Sequence, residues 1–202
     1  MPQPSSPRND AAAPARAQVR LSAQVLTCLA LCLVAAAILF FRHVSPLALW
    51  SYPFPPLWQL LIGQGLALVA SVASYLLFRF TADSESTART VRSYARLDLD
   101  GLNPLWISMC AAIGEEMLFR AALQPLLGLW ITSLVFLVMH TPVYRGQRPD
   151  RATLVQAAGV FGASVVLGLV FQYVGLLAAM LVHAWIDIVG LVVVRSVMRS
   201  RA

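Results

Sequence analysis

Long, almost unbroken apolar runs restrict this chain more than any other feature. Residues 21–41, 57–80, 104–127, 152–171 and 174–194 reach or approach the length of about 20 residues that carries a helix across a bilayer. Lipid offers the backbone no hydrogen bonds, so only helices or closed barrels can cross it. Runs this continuous do not alternate as barrel strands do. A shorter apolar segment, 131–140, lies just before Pro142. Counting it, the sequence predicts an all-α, polytopic transmembrane helical bundle of about six helices. Composition agrees, because 59% hydrophobic and only 12% charged residues is far from a soluble-domain balance.

The arginines test that count. With six spans, residues Arg8, Arg16, Arg20, Arg79, Arg89, Arg92, Arg96, Arg145, Arg148, Arg151, Arg195, Arg199 and Arg201 all fall on the side that holds both termini, which is 13 of the 15 basic residues. Only Arg42 falls on the far side, and Arg120 lies within a span. Cytoplasmic loops carry such an excess, so both termini are expected in the cytoplasm. The net charge of +6 is then an orientation signal and requires no nucleic acid.

Along the chain, residues 1–20 are rich in Pro, Ala and Ser and read as a disordered cytoplasmic tail. Residues 21–101 hold two scaffold helices and a polar cytoplasmic connection, 102–196 a chemically active core, and 197–202 a second tail. Asn103 and Pro104 suit a helix start, with Asn as cap and Pro at the first position. Cys28 and Cys32, one turn apart, and Cys110 read as small packing residues. Ala158, Gly159, Gly162 and Ala163 have the small-xxx-small spacing that lets helices approach closely. Trp106, Trp130 and Trp185 read as packing or interface anchors.

Chemistry enters through a few ionisable groups inside the apolar runs. Glu115, Glu116, Arg120, His140, His183 and Asp187 all lie there. Each charge at mid-bilayer costs roughly 2.5–3.5 kcal/mol on insertion scales, so such groups need partners, a polar cavity or a function. Glu116 and Arg120 are four apart, with the acid on the N-terminal side, the favourable order for a helical ion pair. Glu115 is turned away by about 100° on an ideal helix. Arg120 therefore neutralises Glu116 and leaves Glu115 free. His183 and Asp187 are also four apart and share one helix face.

Glu115-Glu116-x-x-x-Arg120, Phe136-x-x-x-His140 and His183-x-x-x-Asp187, in this order on successive helices, resemble the three motifs of the CAAX protease and bacteriocin-processing family of intramembrane proteases. That family includes Rce1-type CAAX proteases and the bacterial Abi and myxosortase proteins. The resemblance runs over about residues 104–194 and departs at Asp187, where many members have Asn. It implies peptide-bond hydrolysis by water, with Glu115 as base aided by His140, His183 as an oxyanion donor and Asp187 holding it in orientation. Glu116 and Arg120 are then structural, and Phe136 is a wall of the cavity. The expected partners are membrane lipid and a membrane-associated peptide or protein cleaved near its terminus.

The cofactor is left open between none tightly bound and a divalent metal such as zinc. Glu115, His140, His183 and Asp187 are zinc-type donors, the family has been described in both ways, and the sequence has no His-Glu-x-x-His motif. Heavy use of Arg and Ala with no Lys suggests a bacterial chain, hence a multi-pass inner-membrane protein with a processing role, similar to the myxosortases. Two other classes are compatible with buried Glu, His, Asp and Arg. A proton-coupled transporter would depend on an ion gradient and yield no cleaved product. A non-catalytic immunity or scaffold protein of the same family would tolerate loss of the Glu115 carboxylate.

Overall fold

The computed structural model describes residues 19–140 and 150–200. The expected tail 1–20 lies almost wholly outside them, as do Pro142, Arg145, Arg148 and the last two residues of the 197–202 tail. In chain order the elements are α1 (Leu21–Phe41), α2 (Pro46–Ser51), α3 (Pro56–Thr81), α4 (Glu85–Tyr94), α5 (Asn103–Glu115), a π-helix (Glu116–Leu123), α6 (Gln124–His140), α7 (Arg151–Tyr173) and α8 (Leu176–Arg199). The described residues contain no strand, only isolated bridges between Val19 and Leu97 and between Pro53 and Gly175. The all-α bundle is therefore observed.

Among the described residues five helical stretches, rather than six, are long and apolar enough to cross a membrane, and Asn103–His140 is one of them at 38 residues. The chain is an integral, multi-pass membrane protein. The correction to six arises at Gly128, whose φ of 76° and ψ of 169° interrupt α6. Phe119 meets Phe136 edge to face, and Glu115 faces His140 across 3.7 Å. Both pairs are centred on Gly128, so the chain folds back there into an antiparallel hairpin. The return arm, 129–140, rises only about 18 Å, well short of a bilayer's apolar thickness of about 30 Å. It stops at the level of Glu115.

One face of the bundle gathers the ends of α3 and α8 with the starts of α1, α5 and α7. Val19 bridges Leu97 there, Arg195 donates to the Gly101 carbonyl at 2.9 Å, and Arg89 pairs with Asp150 at 2.6 Å. At the opposite face, the buried Gln59 amide donates to the carbonyls of Trp50 and Phe54 and accepts from the Leu177 amide. This brace ties the α2 loop to the start of α8. Residues Val19 and Ser200 thus lie on the same, arginine-rich face, even though the return arm is too short to count as a crossing.

Outward apolar side chains such as Phe80 (84% exposed) and Leu33 (71%) have no protein partners to bury them, as lipid-facing positions require. Close approach between helices occurs at glycines, as where a Cβ at Gly63 would lie 2.7 Å from the Ala178 Cα of α8. A side chain at Gly114 would meet the Cys28 Cα at 3.0 Å, so α1 and α5 can touch only because that residue is Gly. The three cysteines are free, and Cys28 fills the packing role expected of it. Gly159 and Gly162 differ from expectation. Nothing lies within 4 Å of a Cβ built at either, so the small-residue run on α7 makes no tight crossing. Helix α5 also begins one residue earlier than expected, with Leu102 at the cap and no side-chain cap bond.

On the arginine-rich face α4 lies across the start of α7. Ser84 caps α4 by accepting from the Thr87 amide, and Asp150 caps α7 by accepting from the Thr153 amide. Arg89 bridges Glu85 and Asp150. Bonds from Arg89 and Thr153 hold the Asp150 carboxyl far below the usual carboxylate range, and Arg89 and then Arg92 lower Glu85. A carboxylate made more acidic by folding stabilises fully above its unfolded pKa of about 3.9, and that contribution is lost as pH falls through the lower folded value. The clasp therefore holds at neutral pH and opens only below about pH 4.

Two outcomes follow from this architecture. Gly128 occupies a region that is essentially glycine-only, so Gly128→Ala is expected to cost about 1–3 kcal/mol, read as a lower melting temperature in detergent; an unchanged melt contradicts the hairpin. Acidification from about pH 5 to pH 2 is expected to lower the melting temperature of the wild type more than that of Asp150→Asn. Equal acid sensitivity would remove the clasp from the account.

Candidate active site

The π-helix begins at the second glutamate, and such insertions are frequent at functional sites. Both acids meet His183. The Glu116 Oε1 lies 2.8 Å from His183 Nδ1, and the Glu115 Oε2 lies 3.8 Å from His183 Nε2. The hairpin supplies the third participant, with His140 Nε2 at 3.7 Å from the same Glu115 oxygen. Three side chains from three separate segments thus share one place.

His140 is held for this position. Its Nδ1 lies 2.8 Å from the Phe136 carbonyl, to which it donates in the tautomer that leaves Nε2 facing Glu115. Its ring stacks on Phe136 with centroids 4.2 Å apart. Phe136 also carries the Arg120 guanidinium over its other contacts, 5.4 Å from the ring centre. Phe136 thus contacts both His140 and Arg120.

Behind Glu115 and His140 lies a buried chain. Ser164 on α7 accepts from Arg120 Nη2 at 3.1 Å, Arg120 Nε donates to Glu116 Oε2 at 3.1 Å, and Glu116 Oε1 accepts from His183 Nδ1. The Arg120–Glu116 pair follows from the four-residue spacing, and both side chains have no exposed surface. Its onward bond to His183 was not legible in the spacing. Asp187, expected to orient His183, lies 3.5 Å from Nε2; the short orienting bond comes from Glu116 at Nδ1. Ser164 was missed as well, since one hydroxyl in an apolar helix carries no signal of its own.

Exposure is graded across the site. Glu116 and Arg120 are sealed, Glu115 is 19% exposed, and His140 and Asp187 are about one-third exposed at 32% and 33%. Asp187 lies one turn beyond His183 toward the arginine-rich end of α8, so the opening faces that side. The Glu115 Oε2 has no hydrogen-bond partner among the described residues. Separations of 3.7 and 3.8 Å exceed a direct hydrogen bond and suit one bridging water at about 2.8 Å from each atom.

The two imidazoles and the carboxylates are chemically zinc-type donors. Among the described residues, however, no three His, Cys, Asp or Glu side chains are placed to hold a metal ion in common. The arrangement as it stands does not fit a resident metal.

Residues 100–189 match the family described as type II CAAX prenyl endopeptidase Rce1-like. This segment of the chain is similar to that family. The matched residues contain α5, the π-helix, the hairpin, α7 and the His183–Asp187 part of α8, and so every side chain of the site. The family supports a CAAX-type intramembrane protease activity, that is, a hydrolase acting on peptide. No curated protein and no solved structure matches the chain.

The buried chain has a measurable consequence. Arg120→Met leaves the Glu116 charge without its cation in a sealed site, and loss of one member of a buried pair costs about 3–5 kcal/mol. Thermal melting of the purified protein is expected to show this loss for Arg120→Met and a much smaller one for Glu115→Gln. Comparable melts for the two variants would mean that the ion pair does not hold the site.

Proposed function

We propose that the chain is an intramembrane endopeptidase that cleaves a membrane-associated peptide or protein near its terminus, using a water activated by Glu115 and His140. One observation carries this reading: Glu115 Oε2 stands 3.7 Å from His140 Nε2 and 3.8 Å from His183 Nε2, a single partly open site inside the bundle.

In this mechanism a water seated between Glu115 and His140 gives its proton to the Glu115 carboxylate as its oxygen attacks the scissile carbonyl carbon. The carbonyl electrons move onto oxygen. With Glu116 ionised by Arg120, His183 must carry its proton on Nδ1 to satisfy the 2.8 Å bond. To donate to the oxyanion through Nε2 it is therefore doubly protonated, an imidazolium enclosed by Glu115, Glu116 and Asp187. Such a preorganised donor in a water-poor site stabilises developing charge far better than water does. The intermediate collapses by breaking the C–N bond, and Glu115 returns its proton to the leaving amine. Products are a carboxylic acid and an amine, with one water consumed.

The distribution of arginine supports a cytoplasmic location for the face that holds Val19 and Ser200, by the same bias that orients other membrane proteins. Because the site opens toward that face, substrate enters from the cytoplasmic side. The composition fits a bacterial inner membrane and a processing or sorting role.

Reconstituted in liposomes, the wild type is expected to generate new peptide termini from a bacterial membrane-protein extract, detected by terminal proteomics. Glu115→Gln, His140→Ala and His183→Ala are each expected to lower turnover by at least about 10²-fold while the proteins insert, with Glu115→Gln and His140→Ala melting near the wild type and His183→Ala lower because it leaves the buried Glu116 without its bond. Wild-type turnover by Glu115→Gln would overturn the assignment. Transport of an ion or solute with no cleaved product would favour the carrier class instead.

A further inference from the structure

Four buried polar atoms near the hairpin take no part in the mechanism and have no hydrogen-bond partner among the described residues: Arg120 Nη1, Gln124 Oε1, Thr132 Oγ1 and Ser133 Oγ. Three of these residues, Arg120, Thr132 and Ser133, have no exposed surface, and Gln124 is 6% exposed. Their positions in the fold converge. Arg120 and Gln124 are four apart on the first arm, and both reach α7, where Arg120 Nη2 bonds Ser164 Oγ and Gln124 Nε2 bonds the Gly168 carbonyl one turn later. On the return arm, Leu129, Thr132, Ser133 and Phe136 have the i, i+3, i+4, i+7 spacing of a single helix face.

Contacts locate that face. Leu129 abuts Gly168, where an added Cβ would lie 2.3 Å from Leu129 Cδ1 and 2.7 Å from Gln124 Oε1. Phe136 lies under the Arg120 guanidinium. Thr132 and Ser133 fall between these two contacts, hence between the levels of Gln124 and Arg120. The same interval on α7 is bounded by Ser164 and Gly168.

We propose that Arg120, Gln124, Thr132 and Ser133, closed off by α7, line a buried hydration site whose ligand is water. The chemistry selects water over an ion. Glu116 already meets the charge of Arg120, so the chamber is close to neutral. Its free groups are one guanidinium NH2 with two N–H donors, one amide acceptor and two hydroxyls that can do either, the mixture a small cluster of waters satisfies and a bare anion or cation does not. Buried polar groups are almost always bonded to protein or to ordered water, and a low-dielectric interior makes the exception costly. Water here completes the hydrogen bonding of Arg120 on the side away from Glu116. Thr132 and Ser133 precede His140 by about two turns, roughly 10 Å, on the return arm, so the site is separate from the water between Glu115 and His140.

This inference does not rest on the protease reading, and its test uses no activity. In the full chain in detergent, Thr132→Val and Ser133→Ala each remove a hydroxyl at nearly constant shape. If the hydroxyls are bonded to water, each variant is expected to melt about 2–4 °C lower than the wild type, the shift that corresponds to one hydrogen bond in a chain of this size. If the chamber is dry, removing an unsatisfied hydroxyl relieves a penalty, and an unchanged or higher melting temperature overturns the proposal. A crystal structure of the wild type that resolves ordered water gives the second measurement, which stands even if a variant fails to fold. Density within hydrogen-bond reach of Arg120 Nη1 and of Thr132 Oγ1 or Ser133 Oγ supports the site. Hydroxyls turned onto backbone carbonyls, with no such density, overturn it.

Discussion

A hydrogen-bonded ion pair sealed inside the bundle governs the rest of this structure. Arg120 and Glu116 have no exposed surface, and neither charge could stay at that depth alone. The pair reaches Ser164 on α7 at one end and His183 on α8 at the other. Three helices are therefore tied through one buried chain rather than through apolar contact only. In a membrane this matters, because lipid tails compete for apolar surfaces as well as any helix does, and interhelical polar bonds and close packing must supply the specificity.

The hairpin at Gly128 makes the site possible by stopping halfway. A complete crossing would carry a C-terminal histidine to the far surface. A return arm of about 18 Å instead leaves His140 level with Glu115, at the end of a helix where a side chain can meet both the cavity and water. The same geometry lets Phe136 serve two neighbours, His140 by stacking and Arg120 by a cation–π contact.

Much of this organisation was legible in the residues because its causes are local. Runs of about 20 apolar residues mean helices in lipid whatever they pack against. Arg120 and Glu116 pair because four residues bring them onto one face, and the polar connection after α3 forms an amphipathic helix stitched by Glu85, Arg89 and Arg92. The buried ionisable groups also stood out, since charge inside apolar helices is too costly to be incidental. Less was legible where two segments compete for one space. The small residues Gly159 and Gly162 of α7 were good candidates for a tight crossing, yet the close backbone approaches fall at Gly63 against Ala178 and at Gly114 against Cys28, because crossing points depend on how whole helices tilt.

The sequence by itself determined the fold class, the arginine-rich face and the short set of side chains able to carry chemistry, all of which follow from spacing and from the cost of placing polar groups in lipid. Only the tertiary structure decided that Glu116 rather than Asp187 makes the short bond to His183, that Glu115 and His140 meet across 3.7 Å, and that the fourth apolar segment is a half-length return. The reason is physical. A π-turn at Glu116 and a single glycine at 128 change the direction of everything that follows them, and neither leaves a periodic trace in the sequence.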